Sequence, residues 1–301
     1  MTSFSKYTNI VLAAGALRAE IRPGVGGSLG GFWSETAEGR VDWLRRAPDA
    51  GRDGIDARDM ACYPLVPFSN RIRDGRFTFQ DRSVRLPLNF LPHPHVIHGH
   101  GWQAPWQVAD VTETAATLHY RHVADAWPWP YLAEQHIALG DTGLMVAISL
   151  TNLGDTPMPA GIGLHPYFPR DEDTVLTGSV EQLWDSDTEV MPTELVPADQ
   201  VWPPDAPLQV DRVALDNCFT GWDRSLAIRW PGRALLADAQ GPLDFLIVFT
   251  PPGQDFFCAE PVSHCIDAVN LAADRNDTGL VALAPHDTLA GEVAFRPHMD
   301  T

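Results

Sequence analysis

Short strand-like runs separated by turn signals are the feature that most constrains the fold of this chain. Its 301 residues include 24 glycines and 26 prolines, and amphipathic helices longer than two turns are hard to find. Residues 76–80 and 84–88 read as the two arms of a hairpin. Further strand-like runs cover residues 116–123, 144–151, 158–164, 226–230, 234–237, 245–250 and 280–284. Many short strands with turns between them predict an all-β fold, a β-sandwich or a barrel.

The chain is long enough for one large all-β domain or for two smaller domains. The proline-rich segment 196–207 is predicted to be a surface excursion, and nothing flanking it resembles a domain boundary. We therefore expect one domain over residues 1–301. The apolar run 10–17 is interrupted by Gly15, which favours two strands around a turn over a signal peptide. No run approaches the ~18 apolar residues of a membrane-spanning helix, and we expect a cytoplasmic protein.

The charge balance excludes several classes of partner. A net charge of −18 and a pI of about 4.8 argue against nucleic acid and against an anionic membrane surface. The only lysine is Lys6, expected in a frayed tail, so a Schiff-base or P-loop lysine is excluded. The four cysteines form no C-x-x-C pair and are expected to be reduced and buried: Cys62, Cys218, Cys258 and Cys265.

His165 is the first candidate for chemistry. Apolar residues alternate over 158–164, which predicts a strand with one buried face and His165 emerging at its end. Pro166 is expected to end the hydrogen-bond ladder, because proline has no N–H. An imidazole exchanges a proton readily near neutral pH. The alternative is a strand-end histidine bonded only to backbone.

Glu260 is the second candidate. It follows four uncharged residues and precedes Pro261, so we expect it at the end of a buried strand. Burial raises a carboxylate pKa and makes a better base. A buried, unpaired glutamate costs on the order of several kcal/mol, so Glu260 needs either a partner or a chemical role.

Two polar positions could hold a ligand. Asn70 and Arg71 interrupt an apolar context, and the planar arginine fork could bond ring or hydroxyl oxygens. A solvated loop arginine is the alternative. Asp216 lies in an apolar segment and could accept hydrogen bonds from a polyol, although capping a turn is the simpler interpretation in isolation.

A histidine-rich loop precedes Trp102. It suggests a metal site, but no nearby carboxylate completes a ligand set, and prolines and glycines bend the loop irregularly. We favour a flexible loop that brings His98 close to a ligand, with Trp102 against a sugar face or in the core. The histidines of the loop are His93, His95, His98 and His100.

Together these segments resemble the aldose 1-epimerase family, also called galactose mutarotases. The resemblance rests on Asn-Arg-Ile at 70–72, His-Gly at 98–99, His-Pro-Tyr-Phe at 165–168, Leu-Asp-Asn-Cys-Phe at 215–219 and Glu-Pro at 260–261, in the family's order. It implies a single large β-sandwich, the supersandwich, with a sugar cleft and neither cofactor nor metal. It also implies that Glu260 is the general base, that His165 is the general acid, and that Arg71, His98 and Asp216 hold the sugar. Asn70, beside Arg71, and Trp102, which could pack against a sugar face, complete the predicted substrate-binding residues.

The implied activity is exchange of the α and β anomers of a free aldose by ring opening and reclosure, in a monomer or homodimer whose partner is a monosaccharide. Pro169-Arg170-Asp171 and the His-Gly-His-Gly-Trp loop depart from the galactose enzymes, which leaves the sugar open. The alternatives are a non-catalytic sugar-binding protein, a metal-dependent lactonase or isomerase, and a hexose-6-phosphate epimerase. The last would need a cationic pocket, for which the candidates are Arg73, Arg76, Arg82 and Arg85.

Overall fold

A computed structural model describes residues 8–49, 56–204 and 206–300; Lys6 lies outside this part. Its strands, in chain order, are β1 (Ile10–Ala14), β2 (Leu17–Arg22), β3 (Ser28–Thr36), β4 (Gly39–Asp42), β5 (Cys62–Leu65), β6 (Arg71–Ile72), β7 (Arg76–Phe79), β8 (Arg82–Arg85), β9 (Val96–Ile97), β10 (Gln107–Val111), β11 (Ala115–His122), β12 (Tyr131–Gly140), β13 (Gly143–Asn152), β14 (Met158–Ala160), β15 (Gly163–Pro169), β16 (Val175–Gly178), β17 (Gln182–Ser186), β18 (Pro192–Pro197), β19 (Leu208–Gln209), β20 (Asp216–Thr220), β21 (Ser225–Trp230), β22 (Arg233–Gln240), β23 (Phe245–Phe249), β24 (Phe256–Val262), β25 (Val281–Leu283) and β26 (Thr288–Met299).

Helical structure in the described residues is short. The single α-helix found there, α1, covers Ala268–Leu271. The 3-10 helices cover Ala57–Asp59, Arg73–Gly75, Gly101–Gln103 and Ala198–Gln200. No helix among the described residues has the length and apolar character needed to cross a bilayer.

Two large antiparallel sheets form a β-sandwich. The first has eleven strands in the order β1-β2-β3-β5-β15-β24-β23-β20-β17-β18, with β4 paired to β3; the second has nine in the order β10-β11-β12-β13-β26-β22-β21-β16-β19. The sheets face each other across an apolar core. In this core the ring centroids of Phe168 on β15 and Phe295 on β26 lie 6.4 Å apart. The predicted all-β sandwich is confirmed.

The two sheets differ in how they are covered. Along β13 buried and half-buried residues alternate, as in a sheet with one face on the core. β15 and β24 are buried on both faces. The core lies on one face of these strands, and a second cluster of buried side chains that includes Tyr63, Tyr167 and Cys258 lies on the other.

The predicted hairpins are confirmed. β1 and β2 pair around Gly15, which has a φ of 51°, a backbone conformation that glycine adopts easily. β7 pairs with β8, with Phe77 and Val84 on its buried side. All four cysteines are buried and free, as expected.

The prediction of one strand over 158–164, ending at His165, is wrong. The chain forms β14 and β15 with a break at 161–162, because Gly161 N–H bonds Pro67 O at 2.7 Å and Ile162 N–H bonds Ser263 Oγ at 2.9 Å instead of a continuing ladder. His165 lies inside β15. Pro166 does not end that strand, because Tyr167 N–H resumes pairing by donating to Ala61 O at 2.8 Å.

Segment 196–207 is only partly the predicted surface excursion. Its start belongs to β18, and the Trp202 side chain is buried, with its indole N–H donating to Ala206 O at 3.1 Å. A large aromatic anchor therefore ties this segment to the body of the protein.

Candidate active site

A row of three side chains crosses the middle of the eleven-stranded sheet. His165 of β15 is the register partner of Tyr63 on β5. On its other side the register runs from the pair Gly163 and Val262 to the pair Tyr167 and Cys258, which places His165 opposite Glu260 of β24. Residues opposite each other on antiparallel strands project to the same face. The strand order therefore brings an imidazole and a carboxylate together from distant parts of the chain.

His165 and Glu260 form a buried pair. His165 Nε2 lies 3.2 Å from Glu260 Oε1. Burial raises the pKa of Glu260 well above its ordinary value, and the nearby Asp216 carboxylate raises it further, while Arg71 opposes the rise. Burial lowers the pKa of His165 to about 3, and the Arg45 guanidinium adds to that effect. Both neutral forms are favoured, so a proton held by this pair resides on the carboxyl group at neutral pH.

Part of this pair lacks hydrogen-bond partners. Among the described residues neither His165 Nδ1 nor Glu260 Oε2 has one, although both atoms are buried. Such atoms are rare in folded proteins and often mark a functional site. The pair is therefore a candidate for a functional role.

Two tyrosine rings fix the His165 ring. The centroids of Tyr63 and Tyr167 lie 4.5 and 4.7 Å from that of His165, both rings stacked on it. Arg45 lies over the Tyr167 ring with its guanidinium carbon 3.7 Å from the centroid. The imidazole is thus held at a defined angle within apolar walls.

Arg71 is anchored toward the same cleft. Its Nη2 donates to Asp216 Oδ2 and its Nη1 to Asn70 Oδ1, each at 3.0 Å. Arg71 is buried in β6, so the alternative of a solvated loop arginine is wrong. Asp216 begins β20, so the turn interpretation is also wrong, because the strand's pairing with β23 continues through that residue.

His98 is held in one tautomer. The backbone N–H of Asn70 donates to His98 Nδ1, and the backbone N–H of His98 donates to the carbonyl oxygen of Asn70, each at 2.9 Å. An Nδ1 that accepts a hydrogen bond leaves the proton on Nε2. Burial, His165 and Arg71 lower the pKa of His98 well below its ordinary value. His98 therefore presents a neutral N–H donor.

These side chains line one cleft of ≈ 120 Å³. It combines a proton donor and acceptor, hydrogen-bonding groups of both kinds and aromatic walls, a set suited to a small polyhydroxylated ligand. Its lining residues are Arg58, Tyr63, Asn70, Arg71, Phe90, Ile97, His98, Trp102, His165, Tyr167, Asp216, Phe249 and Glu260.

All seven predicted site residues lie in this lining: Asn70, Arg71, His98, Trp102, His165, Asp216 and Glu260. Glu260 is buried, as expected, but inside β24 instead of at its end, because Pro261 still pairs with Leu246. Trp102 is nearly buried, with its Nε1 donating to Ile97 O at 3.3 Å, and it also contributes to the wall.

Sequence reasoning missed Tyr63, Tyr167, Arg58, Phe90, Ile97 and Phe249. The sequence did contain a signal for Tyr167, because a residue two positions after His165 in a strand lies on the same face. The expectation that Pro166 ends the strand hid this signal. The sequence contained no such signal for Tyr63, because its position depends on which strand pairs with β15.

The four histidines of the loop do not converge. His93 stacks on Phe90, His95 Nδ1 accepts from Asp74 N–H, His98 faces the cleft and His100 Nδ1 lies 3.1 Å from the Tyr131 hydroxyl. Two groups in the described part have spacing suitable for a metal, one of His100, His122 and Asp125 and one of His165, Cys258 and Glu260, and neither contains two histidines of the loop. The spacing in sequence was misleading because the loop turns between successive histidines.

The arginines considered for a phosphate pocket lie elsewhere in the described structure. Arg73 faces Asp187 and Asp267 at 3.7 and 3.9 Å. The others lie on the β7–β8 hairpin: Arg76, Arg82 and Arg85. None of the four lines the cleft.

The fold and the cleft define a class, the galactose mutarotase-like β-sandwiches. A structure of a galactose mutarotase-like protein from Clostridium acetobutylicum matches at a TM-score of 0.85 and 21% identity, over 99% of this chain and 97% of that one. A crystal structure from Escherichia coli K12, provisionally described as an aldose 1-epimerase, matches at a TM-score of 0.87 and 29% identity, over 97% and 99% of the two chains.

The chain belongs to the aldose 1-epimerase family. The family profile described as Aldose 1-epimerase matches residues 9–296. The uncharacterised Escherichia coli K12 protein YphB is 31% identical over 302 residues, covering 96% of this chain and 98% of YphB. The family resemblance read from the five short motifs is thereby confirmed.

Proposed function

We propose that the protein is an aldose 1-epimerase that exchanges the α and β anomers of a free aldose. The observation that carries the proposal is the His165 and Glu260 pair, 3.2 Å apart and buried at one cleft with Arg71, His98 and Asp216 around it. A protein that only binds sugar does not need a proton donor and acceptor at contact distance in an apolar enclosure.

Ring opening requires one proton to be removed and one to be delivered. The Glu260 carboxylate takes the proton of the anomeric hydroxyl, and protonated His165 gives its proton to the ring oxygen. As the C1–O bond to the ring oxygen breaks, C1 becomes the carbonyl carbon of the open aldehyde. Rotation about C1–C2 and the reverse transfers close the ring in the other configuration. The pair needs a single shared proton. The pKa shifts leave that proton on Glu260 at neutral pH, so it must pass to His165 within the pair before the transfers to and from the sugar begin.

The surrounding groups are suited to hold the sugar while the ring opens. The neutral His98 N–H can donate to a hydroxyl or ring oxygen, and Arg71, positioned by Asp216 and Asn70, can donate a second hydrogen bond. The Asp216 carboxylate can accept from a hydroxyl. Trp102 offers an apolar face for C–H groups. No step of this scheme uses a metal or a covalent intermediate.

A free aldose fits this cleft better than a sugar phosphate. Its lining contains two arginines: Arg71 is committed to Asp216, and Arg58 to Asp56 through a fork of hydrogen bonds. The net charge of −18 also repels a dianionic substrate.

The test is anomer exchange by NMR over a panel of free aldoses and hexose 6-phosphates. Wild type is compared with Glu260→Gln and His165→Asn. Glu134→Gln and His119→Asn are matched controls, because His119 and Glu134 form an exposed pair, 2.6 Å apart, on the other sheet. We expect faster exchange of at least one free aldose, lost in the first two variants and kept in the controls.

Three results would count against the proposal. No exchange on the panel would exclude these sugars. Sugar binding without exchange, kept in Glu260→Gln, would favour a sugar-binding protein. Loss of activity on adding a chelator would favour the metal-dependent class.

A further inference from the structure

A cysteine lies on the cleft face beside the acid and base. One step along the sheet from the row of Tyr63, His165 and Glu260, the register pairs Tyr167 with Cys258 and Cys258 with Phe249. Tyr167 and Phe249 both line the cleft, and Cys258 lies between them on the middle strand. Because residues two apart in a strand share a face, the Cys258 thiol points to the same side as Glu260.

Three ligand types meet at this point. One ring nitrogen of His165, one carboxylate oxygen of Glu260 and Cys258 Sγ all lie within 4.8 Å of one another. His165 Nε2 and Glu260 Oε1 are separated by 3.2 Å. Two ligands at about 2.0 Å from a tetrahedral zinc ion are separated by about 3.3 Å. The spacing of this pair already suits such an ion.

A second observation points to a ligand here. Glu260 Oε2 is buried and has no hydrogen-bond partner among the described residues. It belongs to the same carboxylate as Oε1, so this group keeps coordination capacity that the protein does not satisfy. Three protein ligands of nitrogen, oxygen and sulfur type, with a fourth position open to a cleft, are typical of a zinc site that exchanges its outer ligand.

We propose that His165, Glu260 and Cys258 bind a thiophilic divalent cation such as Zn²⁺, and that this cation inhibits the enzyme. On binding, the Cys258 thiol and the Glu260 carboxyl group each release a proton to solvent, and the thiolate and carboxylate become ligands. The cation then occupies the lone pairs that take and deliver protons. A metal-loaded protein can hold a sugar hydroxyl at the open position but cannot move its proton in the scheme above. The inhibitory part rests on the proposed function; the binding part does not.

The binding test uses the full chain with Co²⁺ as a spectroscopic probe and Zn²⁺ as its competitor. We expect one Co²⁺ per chain with a thiolate-to-metal charge-transfer band that Zn²⁺ removes. The band should disappear in Cys258→Ser and in Cys258→Ala, and it should remain in Cys218→Ser. Cys218 is a buried thiol on the same sheet face, but it lies two strands away from Glu260. Ile247, which pairs with both residues, lies between them. Glu260→Gln removes one proposed ligand and should weaken Co²⁺ binding by at least about 10–100-fold, the loss that is typical of removing an outer-shell partner.

The inhibition test measures anomer exchange with and without Zn²⁺, each variant against its own metal-free rate. Zn²⁺ should slow wild type and Cys218→Ser, a chelator should restore both, and folded Cys258→Ser should need at least about tenfold more Zn²⁺. Two outcomes overturn the proposal. One is a Co²⁺ spectrum that is the same in wild type and both Cys258 variants, and the other is no Co²⁺ spectrum in any of these proteins. A Cys258-dependent spectrum in a protein without exchange activity would support the metal site and contradict the proposed function instead.

Discussion

Two histidine–glutamate pairs in this protein have the same strand geometry and different surroundings. His119 and Glu134 are register partners on β11 and β12 of the nine-stranded sheet, with 38% and 43% of their side chains exposed. His165 and Glu260 lie opposite each other on β15 and β24 of the eleven-stranded sheet, with 7% and 3% exposed. The difference is the cover on the sheet. The nine-stranded sheet leaves one face in solvent, whereas loops and aromatic side chains bury the outer face of the other.

The comparison teaches that pairing alone does not make a catalytic site. An exposed ion pair contributes little, because water screens both charges. Removal of water from His165 and Glu260 shifts their two pKa values in opposite directions. In the proposed function, these shifts suit the two groups to take and deliver one proton.

The largest expected effect is the loss of anomer exchange when His165 or Glu260 is replaced. Glu260→Gln and His165→Asn should each lower the exchange rate by about 10²–10⁴-fold, because each removes one side of the same proton transfer. The double variant should be no slower than the worse single variant, since residues that act as a unit are non-additive. Wild type, the two single variants and the double variant form a double-mutant cycle, with each exchange rate measured by NMR. The same cycle on His119 and Glu134 is the control. Losses that multiply at His165 and Glu260 would contradict a shared step.

The pH profile gives the next effect. The pair must carry one proton: His165 takes up a second only near its pKa of about 3, and the first is lost above the raised pKa of Glu260. In chelator-treated buffer, the enzymatic rate after subtraction of the spontaneous rate should stay level from pH 7 to 5. Above the raised pKa of Glu260 the enzymatic rate should fall about tenfold per pH unit. A decline centred near 6.5, the value of an ordinary imidazole, would show that His165 titrates as if exposed.

Stability should respond in the opposite sense to activity. The pKa of Glu260 is raised on folding, so its contribution to stability is complete below its unfolded value of about 4.5 and is lost as pH rises toward the folded value. At pH 8 Glu260→Gln should therefore increase the free energy of unfolding, by about 1–2 kcal/mol, as expected for a strained functional residue. Urea denaturation of this variant and of Glu134→Gln measures the difference. A less stable Glu260→Gln would contradict the view that burial of this carboxyl group is costly.

The smallest effect concerns the exposed pair. His119→Asn should change the free energy of unfolding by less than about 1 kcal/mol, and added salt should reduce the change, because the pair is exposed. Denaturation at low and high salt tests this. A larger change that is insensitive to salt would mean that the two pairs differ less than their exposure suggests.

Much of the fold could be predicted because it follows local rules. The β7–β8 hairpin, the strands around Gly15 and the alternating pattern of β13 each follow from neighbouring residues. The course of β15 through Pro166 could not be predicted in the same way. It depends on Ala61, a backbone partner about a hundred residues earlier in the chain.

The candidate site was predicted by residue type and motif order, and its arrangement was not. Glu260 and His165 were identified as buried and chemically suitable, and the structure brings them together. The neighbours that tune them, Tyr63 and Tyr167, follow from strand register across the sheet. Cys258 was expected to be a reduced, buried thiol. Its spacing of two residues from Glu260 could have placed it on the same strand face. Its position beside Tyr167 and His165 could not be predicted, because it depends on the register of β15 with β24.

The bond between Arg71 and Asp216 joins residues separated by 145 positions in the chain. The paired strands β5, β15 and β24 beneath the cleft also come from distant parts of the chain. Sheets held by such distant pairings assemble slowly, because long loops must close before any contact is gained. The cleft therefore exists only once the central strands have all docked. When the denatured protein is returned to native buffer, sugar turnover should recover later than the β-sheet signal of its hairpins.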